Sequence, residues 1–187
     1  MNVKYLSSLA TLGFIALATN SAMAESGVSN NANFACITEN GTAMTVSQLN
    51  GDSKPIFRWQ GDLLASLDAN PTELCQDAAI RLNEYVSEKY TSEITGSSQI
   101  LSFRADQQLG LPTICATDDP ELGCEAVLFT LSPTDKPVQT ANSLLTDILE
   151  KDLQGNKVDS ESNERGVQSI SYSISILDLI FGSKYLK

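Results

Sequence analysis

Four cysteines that follow an apolar leader constrain the fold of this chain more than any other feature. The leader, residues 1–24, has one basic residue, an apolar run from Leu6 to Ala18 and a small-residue cleavage motif that ends at Ala24. This is the pattern of a cleaved secretory signal peptide. The run is shorter than the roughly 18 residues that a membrane-spanning helix needs. The sequence therefore predicts an exported chain without a transmembrane helix after cleavage, in a compartment where disulfides persist.

The charge balance and the absence of one residue type exclude several classes of function. Loss of Lys4 with the leader reduces the 12 basic residues to 11, against 23 acidic ones, which gives a formal charge of −12. Because phosphate binding requires clustered Lys and Arg, we expect no nucleic-acid partner. The chain has no histidine, which excludes histidine-dependent triads and histidine-ligated zinc. The residues single out no catalytic set and no cofactor, so we interpret the protein as non-catalytic.

The hydrophobic pattern predicts one α+β domain over residues 34–154, after a disordered lead-in at 25–33. Asn40-Gly41 is a strong hairpin signal between two short alternating segments. Asn70 and Pro71 are suited to begin a helix over residues 71–90, and a second apolar stripe predicts a helix over 143–153. We expect an antiparallel sheet of about six strands with two helices on one face; the strand segments are 34–38, 43–48, 55–59, 100–105, 111–116 and 126–131.

Four cysteines allow three disulfide pairings. We favour Cys36 with Cys75, and Cys115 with Cys124. The second pair flanks a turn between consecutive strands, which would bring the two sulfurs together, and the first would tie the first strand to the first long helix. No Cys-x-x-Cys spacing is present, so the sequence favours structural disulfides over redox chemistry.

The chain after this domain divides into two parts. Residues 155–168 are polar and charge-mixed, and we interpret them as a linker. Residues 169–187 form an apolar segment with two interpretations. The strict alternation from Ser169 to Ile176 favours a late strand that completes the sheet. A helical stripe, made of Ile170, Ile174, Leu177 and Phe181, would instead suit an amphipathic segment at a membrane surface.

Two groups of residues are candidates for a functional site. Arg58 and Trp59 could form an exposed recognition surface, although a lone Trp more often packs in the core of a small domain. A short loop carries four carboxylates that could hold Ca²⁺, although such residues are also ordinary in solvated turns; they are Asp118, Asp119, Glu121 and Glu125.

Several short motifs resemble the cyanobacterial circadian oscillating protein family, an exported domain family with four cysteines. The resemblance covers about 120 residues, from Phe34 to about Leu153. It implies clock-timed abundance and peripheral membrane association, in the periplasm, the thylakoid lumen or the extracellular space. The motifs that carry it are Phe34-x-Cys36, Pro55-Ile56-Phe57-Arg58-Trp59, Asn70-Pro71 leading to Cys75, Pro112-Thr113-Ile114-Cys115, Gly123-Cys124 and Leu128-Phe129-Thr130-Leu131.

The leading hypothesis is an exported, disulfide-stapled protein that acts by binding an unidentified protein or membrane-surface partner. Binding would use the C-terminal segment or the strand that contains Arg58 and Trp59. The alternative hypothesis is a carboxylate-dependent hydrolase or a calcium-binding module built on the loop from Asp118 to Glu125.

Overall fold

The computed structural model of the protein describes residues 33–49, 51–89, 100–155, 157–160, 168–176 and 179. The predicted leader lies outside these residues, as does the predicted lead-in apart from Asn33. The described chain is an α+β fold with antiparallel strands and two disulfides, as the sequence predicted. The strands are divided between two sheets instead of one.

The first sheet has three strands in the order β1-β2-β3, with β1 at Asn33–Glu39, β2 at Thr42–Leu49 and β3 at Asp52–Trp59. The predicted hairpin at Asn40-Gly41 is confirmed. Both turn residues have positive φ values, 51° and 81°, which a tight two-residue turn between twisted strands requires.

The second sheet has five strands in the order β6-β5-β4-β8-β7. Its strands are β4 (Ile100–Gln108), β5 (Leu111–Thr117), β6 (Ala126–Thr130), β7 (Lys157–Ser160) and β8 (Ser169–Ser175). The alternating C-terminal residues thus form a strand, and β8 lies inside the sheet between β4 and β7. The polar stretch at 155–168, expected to be a linker, contributes β7, because an edge strand needs only one partner and can be polar.

The helices are α1 (Asp62–Ser66), α2 (Pro71–Lys89) and α3 (Pro137–Ile148), followed by a short 3₁₀ helix at Lys151–Leu153. The start of α2 is as predicted: the Asn70 Oδ1 atom accepts hydrogen bonds from the backbone N–H groups of Thr72 and Glu73, at 3.1 and 3.4 Å. None of the described helices is both long and apolar enough to cross a bilayer.

The boundaries predicted for the second helix, 143–153, were wrong. Helix α3 begins six residues earlier, because Pro137 stands in its first turn, where the missing N–H of proline costs no hydrogen bond. It ends at Ile148 because the next two residues pair with the edge of β3. Leu149 has extended backbone and bridges to Phe57, and the Glu150 N–H donates to the Ile56 carbonyl at 2.9 Å.

One hydrophobic core joins the two sheets. Helix α2 packs on β1, β2 and β6, and α3 packs on β4, β5 and β8. Aromatic rings bridge between the sheets: the Phe57 and Phe103 centroids are 4.7 Å apart, and those of Trp59 and Phe129 are 5.1 Å apart. The C-terminal part of the chain contributes fully buried Leu179 to the same core. The sheets therefore act as one packed unit.

Candidate functional site

The carboxylates singled out in the sequence lie on residues 118–125, the acidic loop, which connects β5 to β6. A disulfide between Cys115 and Cys124 closes the loop at its base, with the two Cα atoms 5.3 Å apart. The predicted pairing is confirmed. The loop is therefore covalently fixed to the sheet across nine residues of sequence separation.

Two carboxylates of the acidic loop converge on one ammonium group from the end of α2. The Lys89 Nζ atom lies 2.8 Å from the Asp118 Oδ2 atom and 2.8 Å from the Glu125 Oε1 atom. One turn earlier on the helix, the Tyr85 hydroxyl donates a hydrogen bond to the other oxygen of Glu125. Residues four apart share a helix face, so Tyr85 and Lys89 bind the acidic loop from the same face of α2.

The pKa shifts in this cluster follow from the same contacts. Hydrogen bonds to Asp118 and then to Glu125 raise the pKa of Lys89 above its ordinary value. Partial burial raises the pKa of the Glu125 carboxyl, but hydrogen bonds from Lys89, Tyr85 and the Asp118 N–H outweigh burial and lower it overall. Both shifts favour the charged forms, as expected for the ion pair between Lys89 and Glu125.

Hydrogen bonds also hold the middle of the acidic loop. The buried guanidinium of Arg104, which lies 2.9 Å from a carboxylate oxygen of Asp106, donates to the Pro120 carbonyl. The Thr117 hydroxyl donates to the Asp119 carbonyl at 2.9 Å and accepts from the Asp119 N–H at 3.2 Å. The loop is thus held at its base, its flank and its middle.

The four calcium candidates do not converge on a common point. Asp118 and Glu125 face Lys89, and a nearby ammonium disfavours a second cation. The Oδ1 atom of Asp119 accepts a hydrogen bond from the Glu121 N–H at 2.8 Å. Across the described ranges, no group of three or more His, Cys, Asp or Glu side chains is placed to hold a metal ion.

Arg58 and Trp59, the other candidates, lie in different environments. Trp59 is 2 % exposed, and its indole N–H donates to the Thr45 hydroxyl at 2.8 Å. A partner could not reach this ring in the folded protein. Arg58 reaches the surface, where its guanidinium lies 2.8 Å from a carboxylate oxygen of Glu150. The structure therefore does not bring the pair together as one recognition surface.

The second predicted disulfide, Cys36–Cys75, is also confirmed, with a Cα–Cα distance of 5.5 Å. It ties β1 to α2 across 39 residues of sequence separation. The Asn83 side chain reinforces the link, because it accepts from the Phe34 N–H at 2.8 Å and donates to the Phe34 carbonyl at 2.7 Å. All four cysteines are oxidised, so none is available as a nucleophile.

A small cleft lies beside the start of α2. Its volume is 240 Å³, below the roughly 300–1,000 Å³ typical of small-molecule sites. The lining includes the carboxylates of Asp68, Glu73 and Asp77 together with Thr130 and Ser132. The cleft is small and acidic, and none of the sequence candidates lies in its lining.

Sequence reasoning missed Tyr85 and Lys89, the two residues that organise the candidate site. Their spacing of four within a predicted helix was a usable signal for a shared face. Their partners were not visible, since Asp118 and Glu125 lie 29 and 36 residues from Lys89 along the chain.

Comparison with known proteins identifies one matching protein family. The family model described as Circadian oscillating protein COP23 matches residues 33–180, which include both disulfides, the acidic loop and β8. No curated protein and no solved structure matches the chain.

Proposed function

Because the chain belongs to the circadian oscillating protein COP23 family, we propose that it is an exported, disulfide-stapled protein that acts by binding a partner and not by catalysis. It works in the periplasm, the thylakoid lumen or the extracellular space, at the periphery of a membrane.

The observation that carries the proposal is that the thiols and the charged groups at the candidate site stabilise the fold, through disulfides and ion pairs. The four thiols form two disulfides. The charged groups at the candidate site form ion pairs, in which Lys89 holds Asp118 and Glu125, and Arg104 holds Asp106. Such an arrangement fixes the shape of a surface, which suits binding a partner.

Export is supported by the disulfides together with the leader pattern. Disulfides persist in oxidising compartments and are rare in the cytosol, and residues 1–24 have the composition of a signal peptide. We expect the purified native protein to begin at Glu25 by mass spectrometry and to react with a maleimide only after reduction. A native protein that begins at Met1 and has four reactive thiols would contradict export.

Membrane association is proposed for residues 180–187, the part of the apolar C-terminal segment that follows buried strand β8 and Leu179. Deletion of residues 180–187 should abolish co-sedimentation of the mature protein with membranes from its own compartment. The matched control replaces Leu109 with Ser, because this removes one exposed apolar side chain far from that segment along the chain. Unchanged partition of the deletion variant would contradict this part of the proposal.

Calcium separates the proposal from its alternative. We expect no rise in the thermal midpoint of the mature protein when millimolar calcium is added, because Lys89 already forms ion pairs with two of the four loop carboxylates. A rise that Asp118→Asn with Asp119→Asn removes would favour the calcium-binding module instead.

A further inference from the structure

One large apolar side chain stands at the tip of the acidic loop. Leu122 is 81 % exposed, and its neighbours in sequence are Glu121 and Gly123. A single exposed leucine is ordinary on a protein surface. Leu122 differs because the backbone on both sides of it is fixed.

The fixation surrounds Leu122 closely. Its own N–H donates to the Asp119 carbonyl at 3.3 Å, and the preceding Pro120 carbonyl accepts from buried Arg104. After Leu122, Gly123 has φ +102°, a conformation that side-chain-bearing residues rarely adopt. Cys124 follows in the disulfide. A loop held in one conformation loses little conformational entropy when it binds.

The charges around Leu122 indicate which surface would accept it. Half-buried Asp119 and exposed Glu121 precede it in the same turn, while Asp118 and Glu125 stand at the loop base with Lys89. Four carboxylates against one ammonium leave the loop negative, and the whole chain carries a formal charge of −11. Anionic lipid would repel such a loop, whereas a basic protein surface would attract it.

We propose that Leu122 is the anchor with which the acidic loop docks into an apolar pocket of a protein partner whose rim carries Lys and Arg side chains. This inference rests on the proposed binding function and assigns it to one loop. The apolar contact provides affinity, and the carboxylates around it select a basic rim. Lys89, which does not touch the partner pocket in this arrangement, acts as a positioning residue.

The chain offers a matched control for Leu122. Leu109 is 101 % exposed and also lies on a tight turn, between β4 and β5. That turn has no disulfide, and it lies at the other end of β5 from the acidic loop. An effect of general surface hydrophobicity would appear at both leucines, whereas a docking anchor would appear only at Leu122.

The experiment uses the mature full chain in its native compartment, with a diazirine-bearing amino acid placed at position 122 or at position 109. In parallel, a general amine-reactive crosslinker reports complex formation by the unlabelled protein. We expect a protein adduct from position 122 whose mapped peptide lines an apolar pocket with Lys or Arg at its rim. Position 109 should give at most about a tenth of that yield.

Point variants and salt complete the test. Leu122→Ser should lower the yield of crosslinked complex about tenfold or more, while Leu109→Ser should leave it unchanged. The thermal midpoint of Leu122→Ser should equal that of the wild type, since the side chain is exposed. Higher ionic strength should also lower the yield. Lys89→Met should weaken the complex, and Lys89→Arg should restore it, as expected for a residue that positions the loop.

The outcomes separate the two proposals. The docking role of Leu122 would be contradicted if a complex formed without involvement of position 122. It would also be contradicted by an adduct from position 122 to lipid or to an acidic protein surface. Either result would leave the proposed binding function unchanged. If neither the general crosslinker nor position 122 captures a complex, both proposals fail.

Discussion

Trp59 shows how a single side chain serves the interior of this protein. Its ring packs edge-on against Phe57, with centroids 5.7 Å apart, and against Phe129 in the other sheet, at 5.1 Å. Its N–H is paired with the Thr45 hydroxyl, which itself donates to the Cys75 carbonyl at 3.4 Å. The residue therefore links both sheets and the start of α2, which explains its burial.

Trp59→Phe tests this role. The change removes one hydrogen bond and part of a large buried side chain, so we expect a loss of about 1–3 kcal/mol in the free energy of unfolding, measured with urea. Crosslinked complex formation should be unchanged under conditions where the variant is folded. Loss of the complex without loss of stability would instead place Trp59 in a binding surface.

Lys89 sets how the stability of the loop attachment depends on pH. The lowered pKa of Glu125 means that its contribution is present above its ordinary value of 4.5 and is lost as the pH falls through the lower folded value. The raised pKa of Lys89 means that its contribution is present below 10.5 and is lost as the pH rises through the higher folded value. The attachment is therefore insensitive to pH between about 5 and about 10.

We expect Lys89→Met to reduce the free energy of unfolding by no more than about 1 kcal/mol, because the ion pairs are partly exposed and screened by water. The difference from wild type should be constant between about pH 6 and about pH 9 and should shrink below about pH 4.5. Denaturation in urea across this range is the measurement. A difference that varies between pH 6 and 9 would contradict the assignment of charges.

At the scale of elements, the two disulfides restrain different parts of the fold. Cys115–Cys124 closes a short hairpin, whereas Cys36–Cys75 joins a strand to a helix across 39 residues. A longer closed loop removes more conformational freedom from the unfolded chain. The Cys36–Cys75 bond should therefore contribute more to stability, and the Cys115–Cys124 bond should act mainly on the shape of the acidic loop.

Replacing each pair of cysteines with alanine separates these roles. We expect a loss of about 4 kcal/mol for Cys36 with Cys75 and about 3 kcal/mol for Cys115 with Cys124, from urea denaturation. Wild-type protein in a strong reductant is the control for the loss of both disulfides. Only the Cys115 and Cys124 variant should also weaken partner capture; an equal effect of both variants would show that capture reports stability alone.

At the scale of the whole molecule, the C-terminal part of the chain completes the fold. Strand β8 pairs with β4 and β7, and its inner side chains, Ile170, Tyr172 and Ile174, are buried. Beyond β8, the Leu179 carbonyl accepts a hydrogen bond from the Ser47 hydroxyl at 2.8 Å. The folded unit therefore extends past residue 154, the boundary expected from the sequence.

Truncation tests where the folded unit ends. A chain that ends at Gln168 should not fold, because three large buried side chains contribute about 1.5–3 kcal/mol each, against a total stability of about 5–15 kcal/mol. A chain that ends at Leu179 should retain cooperative unfolding. Circular dichroism with thermal melting distinguishes the two, and a folded protein ending at Gln168 would contradict the placement of β8 in the core.

The sequence by itself determined the local structure and the covalent frame. The hairpin at Asn40-Gly41 and the start of α2 at Asn70 follow from backbone preferences and capping within a few residues. The pairing of Cys115 with Cys124 follows from a turn that brings neighbouring strands together. These features depend on short-range interactions, which a single chain displays directly.

The tertiary structure alone decided how distant segments meet. It packed Trp59 against Phe129 of the other sheet, made a strand from mostly polar residues 157–160, and brought Lys89 to the carboxylates of the acidic loop. A polar edge strand has little hydrophobic pattern of its own, and an ion pair between residues about thirty positions apart depends on the path of the whole chain. These contacts are set by packing, because which surfaces come together depends on how the sheets and helices bury their apolar faces in one common core.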